Sequence, residues 1–267
     1  MPALASIHLY PVKSCRGHAV ELATLDRFGL ATDRRFLAVD ASGRFLTQRT
    51  LPRLALVEPA LTADHLTLAA PGFEPVRVPL RPTAPGPAFE VTIWRDTVSA
   101  LDLGAAAADW LTRWLGQPAR LVTLSAAYHR PVRNSTGPDP DQAAFSDAFP
   151  VLVISEASLD ELNHRLDTPL PMDRFRPNLV VRDCPAYAED AWRRIRIGDV
   201  VLRAAGPCGR CVVTTTDQQT LERSKEPLRT LAQYRRGAQG EVFFGQNYIH
   251  ETRSGTLRVG APIEVLE

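Results

Sequence analysis

The sequence predicts a mainly β protein with a few helices, an α+β chain divided into two β-rich halves. Short apolar or alternating runs separated by Gly, Pro and Asp turns fill the first hundred residues. One helix-period stretch interrupts them shortly after residue 102, and strand-like runs then resume to the end of the chain. At 267 residues the chain is long for a single core, so two domains are expected, 1–120 and 121–267.

Taken in order, SIHLYPV, AVELATL, RFLAVD, LALVEP, LTLAAP, VRVPL, FEVTIW and TVSAL read as antiparallel strands, with Pro82 to Pro87 as a surface loop. In AAAADWLTRWL the apolar Ala107, Trp110, Leu111 and Trp114 recur at helical spacing, and Gly116 and Pro118 stop the helix. Both tryptophans are expected in the core. After the strand RLVTL, the polar stretch Ser125 to Ala144 carries Pro131, Gly137, Pro138 and Pro140, which fits either a disordered segment or a functional lid. PVLVI leads into SEASLDELNHRL, where Ser158 and Glu161 have capping-box spacing and Leu159, Leu162 and Leu166 form an apolar stripe. NLVV, RIRIGDVVLRAA, CVVTTT, EVFFGQNYIH and TLRVGAPIEVL complete the strands, with a short helix at PLRTLAQYRR.

Composition excludes several functions. With 31 basic and 30 acidic side chains the net charge is +1, so no overall field favours nucleic acid or a membrane surface, and an anion site must be local. No apolar run is long enough to span a bilayer, and MPALASIHLYPVKS lacks the layout of a secretory signal, so a cytoplasmic location is expected. Four cysteines, Cys15, Cys184, Cys208 and Cys211, are too few for a disulfide scaffold. There is no H-E-x-x-H, no G-x-S-x-G and no dinucleotide glycine fingerprint.

Three segments could carry chemistry. PCGRC sets Cys208 and Cys211 at C-x-x-C spacing before the strand-like VVTTT. It reads as half of a zinc site whose other ligands are missing, as a redox dithiol, or as one thiolate ligand for a soft transition metal beside a second thiol. RFRPN reads as a surface loop or as an anion-binding loop, in which Arg176 can chelate a phosphate and Asn178 can both donate and accept. In YPVKSCRG, Lys13 is one of only two lysines and stands beside Ser14. This is an ordinary turn or a place where an ammonium and a hydroxyl hold a phosphate oxygen, without the form of a P-loop.

Together, YPVKSCRG, TDRRFLAVD, FSDAFPVLVISEASLDELN, FRPNLVV, YAEDAWRRIRIGDVVL, PCGRCVVTTTDQ, KEPLRTL and FGQNYIH resemble, in order, the MOSC superfamily. The similarity is to the branch containing the mitochondrial amidoxime reducing component and its bacterial relatives. The resemblance implies an N-terminal MOSC β-barrel domain followed by the MOSC β-barrel, and a molybdenum cofactor, Mo-molybdopterin. It implies that Cys211 is the molybdenum ligand and Cys208 its neighbour. It further implies that Lys13, Ser14, Arg34, Arg176 and Asn178 hold the cofactor's phosphate and pterin, and that Ser146 and Asp147 stand near the metal. Asn247 falls at a cofactor-contacting position where the mitochondrial members carry tyrosine, and Ala148 replaces a hydroxyl residue.

The implied activity is reduction of N-hydroxylated or other N-oxygenated small molecules, with Asp147 as proton carrier. The chain lacks the four-cysteine ferredoxin-like domain of some relatives and the pyridoxal-phosphate domain of the sulfurases. An iron–sulfur cluster and pyridoxal phosphate are therefore not expected, and electrons are expected from a separate reductase or redox carrier. Two other functions fit the same residues: a non-catalytic carrier or sulfur-transfer protein for the cofactor, and a dithiol redox protein using Cys208 and Cys211.

Overall fold

The computed structural model describes residues 1–80, 87–133 and 140–267. The expected loop at 82–86 and the middle of the expected lid or disordered stretch, 134–139, lie outside the described residues. The chain is mostly β and forms two compact units. A terminal unit takes Met1–Leu9, His18–Ala31 and Phe149–Glu267, and a middle unit takes Tyr10–Gly17 and Thr32–Ala148. Each has its own apolar core.

In the middle unit, strands Phe36–Val39, Arg120–Leu124, Asp96–Asp102 and Phe89–Ile93 form an antiparallel sheet in that order. The segment 43–46 joins its two edges. On one side Phe45 N–H donates to Thr92 O at 3.0 Å and Thr92 N–H to Gly43 O at 2.9 Å. On the other, Asp40 N–H donates to Arg44 O and Leu46 N–H to Ala38 O, both at 2.8 Å. The segment thus bridges both edge strands, as in a small barrel. Gly43 is required there: its φ is +81°, and an added Cβ would lie 2.9 Å from Glu90 O.

A second sheet, Glu58–Leu61, His65–Ala70 and Phe73–Pro79, packs with the helix Ala105–Leu115. The helix buries the residues its spacing predicts: Ala107, Trp110, Leu111 and Trp114. Phe73 meets Trp114 and Trp110 edge-on at 5.0 and 6.1 Å, and the indole N–H groups donate to Arg53 O and Glu74 O. Buried indoles need such acceptors, and truncating one costs about 3–5 kcal/mol. LALVEP departs from its strand reading. Pro52, already in helical φ, starts the 3₁₀ turn Pro52–Leu56, and the strand begins only at Glu58.

The terminal unit is built on one eight-stranded sheet. Its order is Ile263–Val265, Arg194–Ile197, Val200–Gly209, Phe243–His250, Val151–Ser155, Leu179–Arg182, Ala3–Leu9 and His18–Val20. Ile263 N–H donates to Pro2 O and Gly260 N–H to Leu4 O, both at 2.8 Å, so the sheet curls until its first strand in this order meets Ala3–Leu9, the seventh. Val151–Ser155 and Leu179–Arg182 run parallel, with the helix Glu156–Asn163 in their crossover. Leu4, Ile7, Val153, Val181, Ile195, Leu202 and Tyr248 fill the core.

That helix begins earlier than the capping-box spacing suggests. Ser155 is the N-cap and accepts from Ser158 N–H at 3.1 Å, while Ser158 lies in the first turn and donates to Glu189 Oε1 at 2.8 Å. The buried Glu189 also accepts from Ser155 N–H. A carboxylate at the helix N-terminus suits its dipole, and it comes from a segment the local spacing does not reveal. Among the described residues no helix is long and apolar enough to cross a membrane.

Candidate functional site

The middle unit gathers charge around one carboxylate. Lys13 N–H donates to Phe36 O at 2.9 Å, Gln48 Nε2 donates to Ser14 O at 2.7 Å, and Ser14 adopts a left-handed φ of 66°. This tight turn leaves Lys13 only 5% exposed. Its ammonium donates to Asp147 Oδ1 and lies 5.9 Å from the Phe45 ring centroid. Burial lowers the Lys13 pKa to about 8 against the opposing pull of Asp147.

Asp147 accepts two further bonds, from Arg49 Nη2 and Trp94 Nε1, each at 3.3 Å. Partial removal from water opposes its charge, but the side chain keeps 56% of its surface, and Lys13 and Arg49 hold the carboxyl far below the usual carboxylate range. Arg49 stacks over the Trp94 ring at 4.5 Å, and Phe45 packs on the same indole at 4.9 Å. Trp94 sits in the hairpin turn with φ 56°, a rare conformation for a bulky residue. Arg34, with φ 50°, donates through Nη1 to Asp33 Oδ2 at 2.5 Å and lies 4.5 Å from the Tyr10 ring. Ser146 is 5% exposed, and its Oγ is buried without a partner among the described residues.

Lys13 and Asp147 are thus paired directly, Arg34 lies near enough to act electrostatically on both, and Ser146 precedes Asp147 in the chain. Sequence reasoning missed Arg49, Trp94 and Arg130. Arg130 is 5% exposed and donates to Asp96 Oδ2 at 2.7 Å, to Ala144 O and Ser146 O through Nη1 at 2.8 and 2.7 Å, and to Asp147 O at 3.0 Å. Its residue type gave no signal, because its partners lie up to 34 positions away.

The terminal unit carries Arg176, Asn178, Cys211 and Asn247. Asn178 closes a row of backbone across three strands: its amide oxygen accepts from Leu152 N–H and its Nδ2 donates to His8 O, both at 3.2 Å. Leu152 pairs in register with Asn247, which pairs with Gly206 and donates from Nδ2 to Pro207 O at 3.4 Å. Beside Asn247, the Gln246 Oε1 is buried without a partner among the described residues. Pro177 keeps Arg176 out of right-handed helix, but into the left-handed region at φ 56° rather than an extended one.

Cys208 is the penultimate residue of the long strand Val200–Gly209, and Cys211 follows the strand; neither is in a disulfide. VVTTT is not a strand. Val212–Thr215 forms a 3₁₀ turn with Cys211 at its N-cap, because Thr214 and Thr215 hydroxyls donate back to Cys211 O and Val212 O at 2.9 and 2.8 Å. Such local bonds let β-branched residues leave a ladder. Arg210, also missed, donates to Cys208 Sγ at 3.0 Å and to Phe175 O at 2.6 Å, tying the cysteine loop to the RFRPN loop.

These groups suit a phosphorylated cofactor carrying a soft metal. A buried ammonium, an adjacent guanidinium and a buried hydroxyl without a partner match an anion that must be both neutralised and hydrogen-bonded. Among the described residues no three His, Cys, Asp and Glu side chains are grouped to hold a metal ion. A metal held through Cys211 would therefore need further ligands brought by a cofactor.

Residues 1–118 match the MOSC N-terminal beta barrel domain family, and residues 140–264 match the MOSC domain family. The chain is 37% identical to mitochondrial amidoxime-reducing component 1 of Mus musculus over 281 aligned residues, covering 98% of this chain and 82% of that protein. It is 37% identical to the Homo sapiens protein of the same name over the same shares of the two chains. It is 35% identical to mitochondrial amidoxime reducing component 2 of Rattus norvegicus, over 97% of this chain and 82% of that one. Two domain families in tandem and near-full-length similarity lead to one conclusion: the chain belongs to the MOSC protein family that includes the mitochondrial amidoxime-reducing components.

Proposed function

We propose that this protein is a molybdenum-cofactor-dependent reductase of N-hydroxylated or other N-oxygenated compounds, with electrons from a separate partner. The observation that carries this reading is near-end-to-end similarity to proteins named for amidoxime reduction. The buried Lys13 and the partnerless Ser146 hydroxyl support it from the chain's own chemistry. The word component in the relatives' names supports a partner.

In this reading Cys211 offers the thiolate to the metal, and Lys13, Ser14, Arg34, Arg176 and Asn178 hold the anionic part of the cofactor. Ser146 adds a hydroxyl, and Asn247 a contact through its amide. The cofactor, when bound, supplies the two-electron chemistry that removes oxygen from the N–O bond. Reduction of that bond also consumes two protons and releases water. Asp147, held ionised by Lys13 and Arg49, serves as a fixed anion that orients the Lys13 ammonium. As a proton carrier it would act only after those contacts loosen.

The test uses cofactor-loaded protein and an N-hydroxylated amidine. Reduced viologen should drive formation of the amidine, while NADH or NADPH alone should not. Adding a flavin reductase and a small haem or iron–sulfur carrier should restore pyridine-nucleotide-driven turnover. Absence of viologen-driven turnover in molybdenum-loaded protein would favour a cofactor carrier instead.

A further inference from the structure

We propose that Arg130 is the positioning residue of the site, a single buried guanidinium that fixes Ser146, Asp147 and Trp94 relative to one another. The inference rests on the functional reading above only in taking Ser146 and Asp147 as site residues. One guanidinium reaches two separate pieces of the middle unit. Nη1 and Nη2 hold the carbonyls of Ala144, Ser146 and Asp147, so the peptide carrying the candidate hydroxyl and carboxylate is held at three points. Nε holds Asp96, two residues beyond Trp94 in the same hairpin, and the Trp94 indole in turn donates to Asp147 Oδ1.

The backbone around Arg130 is fixed just as firmly. Its N–H donates to Gln142 Oε1 at 2.8 Å, its carbonyl accepts from Ala143 N–H at 3.0 Å, and Val132 N–H donates to Asp141 O at 2.7 Å. Tyr128 donates to Ala143 O at 3.1 Å and packs edge-on against Phe145. Arg130 therefore works from an anchored base. A planar fork of five donors can serve four acceptors in fixed directions, whereas an ammonium is a point charge with three rotatable donors. A residue needed only for solubility or surface charge would not be 5% exposed with three of its bonds spent on backbone carbonyls.

The test compares Arg130→Lys, Arg130→Ala and the milder Asp96→Asn, which leaves the guanidinium in place. Asp147 is followed by its carboxyl carbon resonance through an acid titration, and Trp94 by its indole N–H resonance, both in cofactor-free protein. These readings do not depend on turnover, so they stand apart from the reductase assay. In Arg130→Lys the Asp147 midpoint should rise by about one unit, as a carboxylate drifts from its cations, and the Trp94 resonance should move. Asp96→Asn should shift Trp94 more than Asp147. Millimolar guanidinium should return Arg130→Ala toward wild-type Asp147 behaviour. Wild-type Asp147 and Trp94 signals in folded Arg130→Lys would overturn the proposal. So would shifts in Arg130→Ala that guanidinium leaves unchanged.

Discussion

The two units solve different problems with backbone of the same kind. In the middle unit the candidate groups are charged and mutually dependent: Lys13, Arg49 and Trp94 all converge on Asp147, and Arg130 holds the peptide beneath it. In the terminal unit the candidate groups are spaced by the sheet, with Asn178, Leu152, Asn247 and Gly206 in one backbone row and the cysteine loop after its last strand. Charge placed by long-range side-chain bonds is sensitive to pH and to single substitutions. Groups placed by a strand ladder are spaced by backbone bonds instead.

That contrast can be broken by substituting one cation in each unit. In the proposed reading Arg34 and Arg176 each contact the anionic part of the cofactor, so Arg34→Ala and Arg176→Ala should each weaken its retention about ten- to a hundredfold, since a charge-assisted contact contributes roughly 1.5–3 kcal/mol. Molybdopterin content at matched thermal stability measures this. Undiminished content in Arg176→Ala alone would confine anion binding to the middle unit.

A smaller effect separates the units by pH. Burial leaves the Lys13 pKa, lowered from its ordinary value, at about 8, so in cofactor-free protein its charge is complete below that pH and lost as pH rises through it. Cofactor uptake should fall several-fold between about pH 7 and 9, half of Lys13 being neutral near its pKa. Lys13→Arg should flatten the fall, because a guanidinium stays charged. A bound anion raises the lysine's pKa, so loaded protein should retain cofactor to higher pH than uptake implies. An equal fall in Lys13→Arg would place the titrating group elsewhere.

Legibility followed the range of the interaction. The helix Ala105–Leu115 was readable because its buried face and its Gly116 stop lie within twelve residues. Alternating runs such as FEVTIW and RLVTL became strands for the same local reason. Pro52–Leu56 and Val212–Thr215 defeated the pattern, because a proline start and threonine hydroxyls bonding to their own backbone override β-branched composition. Arg49, Trp94 and Arg130 were invisible as site residues, since each acts on groups far along the chain, and Arg210, which reaches its neighbour Cys208, was invisible in its second bond, to Phe175 O. The polar stretch from Ser125 illustrates this most clearly: it reads as loop composition, yet it supplies the most heavily bonded side chain beside Asp147.

In the proposed reading Cys211 of the terminal unit ligates the metal through its thiolate, and Cys208 is held by Arg210. The most direct measurement is molybdenum content together with viologen-driven reduction of an N-hydroxylated amidine in Cys211→Ala and Cys208→Ala. A methyl group cannot replace a thiolate ligand, so Cys211→Ala should abolish turnover, while Cys208→Ala should keep a substantial part of both metal and activity. Equal and complete loss in both variants, with a Cys208–Cys211 disulfide forming reversibly in the wild type, would contradict the account and identify a dithiol redox protein.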